Sequence, residues 1–540
     1  MINSKISHLQ LLIVAVLGLT LLTLLLPMGY ETNDDIGMEL TYSGYYTGSP
    51  ESGSIYNHIA LSKVLSYLYQ LNSGVNWYVL LHVGTLFVSM ILLVWHIIRH
   101  AFSQHHILIG IILIFGGYTH FIVQLNFATV AFLSGFTAVL YILDNPWRLR
   151  SKSLYIALGL IGMSLMIRQH FFILALLMHG LNIIIQIKNC RKHIHIKLLS
   201  LAIFYVAMLV SNYLYYRDNG AWGESHVKYQ ALVYLVDNPS FNAYYLRPHL
   251  KTLGWTENDL YLFKNFYFEL PGNLTLKKLH FLNRAIPRDM MDYDEFFPAI
   301  FKYTPAYMLI FILMSWCFSA WYYGRTHLIY NLLFFVLIIC FLFYLTGNKV
   351  IFKNRMMDAI FLGVITSNYL PLGFQAIRSV RIKPLIGIAV ILLSVSLIPK
   401  IMRVQNMRKE LRIMNSYLGQ QYAQNHVFEF YFYYPVGGFN SLLPSASQMP
   451  SNKFIPSGWL MNTPIGISNL KRLGYSSISQ AITNDRTIHL IPSEYNENYR
   501  ELMSQYFLQY YNMRIKFKEM ERFKTNLQWW TVLKLEPELN

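Results

Sequence analysis

Directly after its first apolar run the chain reads Tyr30-Glu31-Thr32-Asn33-Asp34-Asp35, with no lysine or arginine close by to neutralise the acids. A pair of carboxylates at a membrane boundary can take the proton of an incoming hydroxyl, or hold a divalent cation such as Mg2+ or Mn2+ against a phosphate. The purely structural alternative is that Asn33 or Asp34 caps a helix beginning near Ile36, which needs one such side chain and leaves the other acids solvated.

Basic residues that could answer an anionic substrate occur at two further places. Arg168 follows the apolar Gly162-Met163-Ser164-Leu165-Met166-Ile167 and precedes Phe171-Phe172-Ile173-Leu174. An unpaired arginine deep in a spanning helix costs about 2.5 to 3.5 kcal/mol on insertion scales. Arg168 is therefore expected to face a polar cavity, a carboxylate or a phosphate, or to sit at a turn between two spans; the turn is preferred, with His170 beside it, either in an active-site role or in a purely structural ion pair. Lys349, Lys353 and Arg355 crowd one short turn, where they could clamp a phosphate or merely snorkel at the interface. Between 217 and 304, Trp222, Glu224, His226, Trp255, Glu257 and Asp259 mix rings with acids, a composition suited to sugar recognition. It also suits an ordinary folded external loop.

The elements that must position these groups are membrane helices. Of 540 residues 54% are hydrophobic and only 13% charged, outside the usual range of soluble chains. Apolar runs suggest about eleven spans, at 9–28, 78–98, 107–124, 126–143, 153–168, 170–187, 197–216, 305–323, 327–346, 356–376 and 384–399. The first is read as a retained anchor. The net charge of +17 is explained by basic loops flanking spans, which argues against nucleic acid as a partner. With the N-terminus cytoplasmic, Arg99, Arg148, Lys152, Lys188, Lys197 and Arg381 fall inside, and 29–77, 217–304 and 400–540 fall outside. Lys400, Arg403, Arg408, Lys409 and Arg412 pull against the last of these assignments.

Within 55–69, Leu61, Val64, Leu65 and Leu68 recur at helical spacing, giving an amphipathic helix too short to span, with Asn57 and His58 on other faces. Such a helix could wall a cleft open to the outer leaflet. Met407, Leu411, Met414 and Leu418 suggest another helix lying near the bilayer surface. Beyond it, Val427–Tyr434, Thr487–Ile491, Ile515–Phe523 and Trp529–Leu535 read as strands of a small mixed α/β domain. The three cysteines show no metal spacing, and no phosphate-binding glycine loop, dinucleotide fingerprint or His-Glu-x-x-His helix is present.

A first span followed at once by Asp34-Asp35, a long external loop, many further spans and an external C-terminal domain resembles the GT-C superfamily of integral-membrane glycosyltransferases. Asn33-Asp34-Asp35-Ile36-Gly37-Met38, Ser43-Gly44-Tyr45-Tyr46-Thr47-Gly48, Val75-Asn76-Trp77-Tyr78 and Gly254-Trp255-Thr256-Glu257-Asn258-Asp259 also resemble bacterial membrane proteins of surface-polysaccharide loci. The resemblance implies an all-α polytopic bundle over 1–400 and an extracytoplasmic α/β domain over 401–540, in a bacterial plasma membrane. It further implies transfer of a sugar from a polyprenyl-phosphate donor to a cell-envelope glycan or lipid. Asp34 or Asp35 would be the base or metal ligand, and Arg168, His170, Lys349, Lys353, Arg355, His58, Trp255 and Glu257 would be substrate contacts. A polysaccharide polymerase or ligase, and a lipid-linked-saccharide flippase, are the alternatives.

Overall fold

The computed structural model describes residues 8–31, 33–100, 104–144, 152–188, 194–236, 243–264, 267, 275–285, 383–429, 453–455, 458–525 and 528–538, with isolated positions between 312 and 363. Helices dominate: α1 (His8–Leu25), α2 (Asn33–Tyr42), α3 (Ile59–Leu71), α4 (Trp77–His100), α5 (Gln104–Val123), α6 (Phe127–Asp144), α7 (Lys152–Met178), α8 (Gly180–Lys188) and α9 (Ile194–Asp218). Among the described residues five helices are long and apolar enough to cross a membrane: α1, α4, α6, α7 from Leu154 onward, and α9. Helices thus occupy the first seven apolar runs of the sequence. The run at 384–399 lies inside a later helix, and most of 305–376 falls outside the described residues.

Helix α6 is the centre of the bundle, buried on almost every face, so its seventeen consecutive buried residues are apolar or small. Gly135 lets α7 approach it closely. A Cβ there would stand 2.7 Å from Ser164 Oγ, 3.1 Å from the Phe172 ring and 3.4 Å from Ala175. In a straight helix Ser164 and Ala175 would be about 16 Å apart, so the chain must turn back between them. The turn is at Arg168, whose φ of −160° and ψ of 96° break the helix. The sequence-based expectation of two spans meeting at Arg168 is met. Outward, Leu9, Ile13, Leu17, Leu21 and Leu24 of α1 and Leu199, Ile203, Val206 and Val210 of α9 form exposed apolar stripes, as helices long and apolar enough to span a membrane would present to lipid.

The helices alternate in direction, which gives the bundle two ends. At one end Gly29–Tyr30 (β1) pairs in parallel with Gln124–Leu125 (β2), and α2, α3 and the turn at Arg168 gather there. At the other end His96, His100, Asp144 and Lys197 meet.

Four shorter helices follow, α10 (Gly220–Val236), α11 (Ala243–Leu253), α12 (Glu257–Lys264) and α13 (Leu276–Ala285), and then α14 (Lys383–Gln421). The C-terminal part holds strands β3 (His426–Glu429), β4 (Lys453–Ile455), β5 (Thr487–Pro492), β6 (Ile515–Lys524) and β7 (Trp529–Pro537), with helices α15 (Pro464–Arg472), α16 (Ile478–Ile482) and α17 (Asn496–Tyr511). The sheet order is β4-β3-β5-β7-β6, parallel from β4 through β5 and antiparallel onward. Its central strand β5 is buried at every residue, as a strand covered on both faces must be.

Two expectations need revising. The stretch from Met407 to Leu418 is not a separate surface helix; it continues α14 without a break, and Met414 and Leu418 pack under the sheet against Val427, Phe454, Ile488 and Trp530. Its apolar stripe buries against protein instead of lipid. Helices α10 to α13 are also not an independent loop: Leu235, Leu246, Trp255, Phe263 and Leu282 share one core with Phe428, Ile491, Tyr499 and Tyr506. The C-terminal unit therefore includes chain that precedes residue 400.

Candidate functional site

The acidic segment does open a helix, with Asp34 and Asp35 in the first turn of α2, where carboxylates are favoured by the helix dipole. The two acids then diverge. Asp35 is fully buried, and its Oδ1 accepts both the Tyr78 hydroxyl at 2.8 Å and the Phe127 backbone N–H at 3.1 Å. Phe127 is the first residue of α6, so Asp35 holds the positive end of the central helix in place. Asp34 remains partly exposed and accepts the Tyr56 hydroxyl at 3.0 Å.

Tyr56 joins Asp34 to Arg168. Its carbonyl oxygen accepts Arg168 Nη1 at 3.3 Å, while its hydroxyl serves Asp34. Burial, and then the charge of Asp34, push this hydroxyl well above its ordinary pKa, so it stays protonated and donates. The guanidinium sits 5.7 Å from the Phe127 ring centroid, and no described ion pair includes it. A half-buried arginine whose guanidinium meets a carbonyl and a ring but no carboxylate among the described residues is set up to receive an anion.

A cavity of about 220 Å³ lies at this point, its wall including Tyr56, His58, Arg168, His170, His226 and Tyr229. Arg168, His170 and His58, named from the sequence, thus come together. His58 is fully engaged: Nδ1 accepts the Ala60 N–H at 3.1 Å as the N-cap of α3. Its Nε2, which must then carry the proton, reaches Met208 O and Ser211 Oγ at 3.1 Å. Burial lowers its pKa, and a neutral ring tying α3 to α9 results. His226 is likewise lowered by burial, and its buried Nε2 has no hydrogen-bond partner among the described residues. Asn212, Gln169 and Gln230 add amides to the lining. Tyr56, Tyr229 and the amides carried no signal in the sequence, because nothing in their spacing distinguishes them from other interfacial polar residues.

The remaining sequence candidates lie elsewhere. Trp255 is buried in the C-terminal core, 5.4 Å from the Phe263 ring. Glu257 forms a half-exposed ion pair with Arg247 at 2.9 Å. Neither reaches the Arg168 cavity: Asp259 docks this segment onto α17 through Tyr510 at 2.7 Å and Gln509 at 3.1 Å, which carries both residues into the C-terminal unit. Lys349, Lys353 and Arg355 lie outside the described residues.

A crystal structure of ArnT from Cupriavidus metallidurans in the apo state is similar to this chain. The match covers 96% of this chain and 97% of that one at 10% identity, with a TM-score of 0.41. No family model and no curated protein matches.

The C-terminal unit touches the site from above. Trp459 packs edge-on against Tyr229 at 5.2 Å, Asn469 Nδ2 donates to Tyr46 O at 2.8 Å, and Arg472 reaches Tyr45 O at 3.3 Å. Trp222 of α10 rests on Gly53, where a Cβ would fall 2.0 Å from its ring; only glycine permits that approach. The same end holds Glu39, fully buried, accepting Tyr30 and Asn76 at 2.8 Å each. Burial raises its carboxyl to about 8 against those two hydrogen bonds.

Proposed function

We propose that this protein is an integral-membrane glycosyltransferase of GT-C type, transferring a sugar from a polyprenyl-phosphate donor to a cell-envelope glycan or lipid. The observation that carries the reading is the juxtaposition of a partly exposed carboxylate, Asp34, and an arginine, Arg168, that forms no ion pair among the described residues, on either side of Tyr56 at one end of the bundle. In the reaction the acceptor hydroxyl attacks the anomeric carbon as Asp34 takes its proton. The C–O bond to phosphate breaks, and the leaving phosphate keeps the electron pair under the charge of Arg168. A single displacement of this kind inverts the anomeric centre. Lys349, Lys353 and Arg355 are proposed as further phosphate contacts.

Asp35 is assigned a positioning role. Its carboxylate is occupied by Tyr78 and the start of α6, so the two acids do not fit a shared Mg2+ or Mn2+ site, and no step is routed through a metal. We assign the acidic end to the outside of the cell. Arg99, Lys152, Lys188 and Lys197 lie toward the opposite end, and the bias of basic residues toward the cytoplasm supports this orientation.

The test is transfer of radiolabelled sugar from a panel of polyprenyl-phosphate sugars in proteoliposomes. Asp34→Asn is expected to lower turnover by 10² or more, the scale of a lost general base, with folding intact. Arg168→Gln is expected to weaken donor use. Transfer by the wild type that neither substitution diminishes would sink the assignment, and movement of intact lipid-linked sugar across the bilayer with no new glycosidic bond would favour a flippase.

A further inference from the structure

The end of the bundle away from the acidic loop carries a second cluster of side chains, which the proposed transfer does not use. His96 and His100 stand one turn apart on α4, their ring centroids 4.5 Å apart and their planes inclined by 30°. Both reach the last residue of α6: Asp144 Oδ2 lies 2.9 Å from His100 Nε2 and 3.6 Å from His96 Nδ1. One ligand atom from each of the three residues falls within 4.8 Å of the others. Tetrahedral zinc with bonds of about 2.0 to 2.1 Å sets its ligand atoms about 3.3 Å apart, and the two separations from Asp144 bracket that value.

Burial and electrostatics point the same way. His96 is 4% exposed and Asp144 14%, but His100 is 42% exposed, so the cluster is walled by protein on one side and open on the other for an ion and a water ligand. An acid at the last residue of a helix sits among free carbonyls at the negative end of the macrodipole, where a cation is stabilised and an anion is not. Lys197 Nζ takes up the Ile142 and Leu143 carbonyls at 2.7 and 3.4 Å. Without an ion His100 donates to the carboxylate and Arg99 adds positive charge nearby; a bound cation would take the lone pairs of the neutral imidazoles in place of that N–H.

We propose that His96, His100 and Asp144 bind one divalent transition-metal ion, with zinc matching the two-nitrogen, one-oxygen ligand set, as a staple between α4 and α6. The fourth position is open on the His100 side. The experiment uses the full chain in detergent, carried on a tag without histidines, stripped with chelator and titrated with zinc chloride and separately with cobalt chloride. The wild type is expected to take up one equivalent of zinc, to gain visible cobalt absorption bands of tetrahedral type, and to unfold at higher temperature with zinc. His100→Gln and Asp144→Asn should each weaken zinc binding at least tenfold. His100→Gln keeps a donor toward Asp144 at a partly exposed position, and its monodispersity can be checked by size exclusion. Zinc bound as tightly by both variants as by the wild type would overturn the site as adventitious. Absence of a tetrahedral cobalt spectrum in the wild type would overturn it without reference to any variant.

Discussion

The divergent surroundings of the adjacent acids make opposite demands, and truncating each to alanine separates them. Asp35→Ala removes the acceptor of two buried donors, the Tyr78 hydroxyl at 2.8 Å and the Phe127 N–H at 3.1 Å. Hydrogen bonds to a charged group contribute about 1.5 to 3 kcal/mol each, and loss of the anion at the start of α6 adds about 0.3 to 1 kcal/mol. The expected loss is about 3 to 7 kcal/mol. At Asp34→Ala the partly exposed bond from Tyr56 is lost, about 1 kcal/mol. For a unit of this size 1 kcal/mol moves the midpoint by about 2 to 4 °C, so Asp35→Ala should lower Tm by about 6 to 28 °C and Asp34→Ala by only a few degrees. Fluorescence-monitored unfolding in detergent reads the difference. A midpoint for Asp35→Ala no lower than that of Asp34→Ala would refute the division of roles. Asp35→Asn, which keeps an acceptor oxygen but no charge, should fall between the two.

Other consequences are open to the same measurements. The Glu39 carboxyl, raised by burial from 4.5 to about 8, contributes stability that is fully present below pH 4.5 and lost as pH rises through about 8. Wild-type Tm should accordingly fall between those values, whereas Glu39→Gln should show a flatter profile; an unchanged slope in the variant would exclude Glu39 as its source. Gly135→Val would drive a branched side chain into Ser164, Phe172 and Ala175, costing about 1 to 3 kcal/mol or more and measurable as a lower midpoint or loss of folded yield. Glu410 is buried on α14 and accepts Thr525 and, at 3.0 Å, Trp530 Nε1. Glu410→Ala should cost about 2 to 4 kcal/mol and raise protease sensitivity of the sheet; unaltered digestion would show that α14 does not anchor it.

Much of the scaffold was legible because its signals are local. A stretch such as Phe127–Asp144 states by its apolar length that it spans, and an arginine between two apolar runs is costly anywhere but at a turn. The strand-like stretches Ile515–Phe523 and Trp529–Leu535, joined by a polar turn, marked the hairpin that became β6 and β7. The limits of the C-terminal unit were not legible, because its core is shared with Trp255 and Leu282 from far earlier in the chain. Nor was the fate of the Met407–Leu418 stripe, since an apolar helical face reads alike whether lipid or a sheet will cover it.

The acidic pair shows the same division at the scale of two residues. Sequence determined that carboxylates stand at the end of the first span and that Arg168 breaks a helix. It treated Asp34 and Asp35 as equivalent, because adjacent acids have the same chemistry and the same neighbours along the chain. Only the tertiary structure set them apart, by bringing Phe127 and Tyr78 to one and Tyr56 to the other. Consecutive residues on a helix point about 100° apart, so adjacent positions meet different surroundings, and those surroundings come from segments that no local pattern specifies.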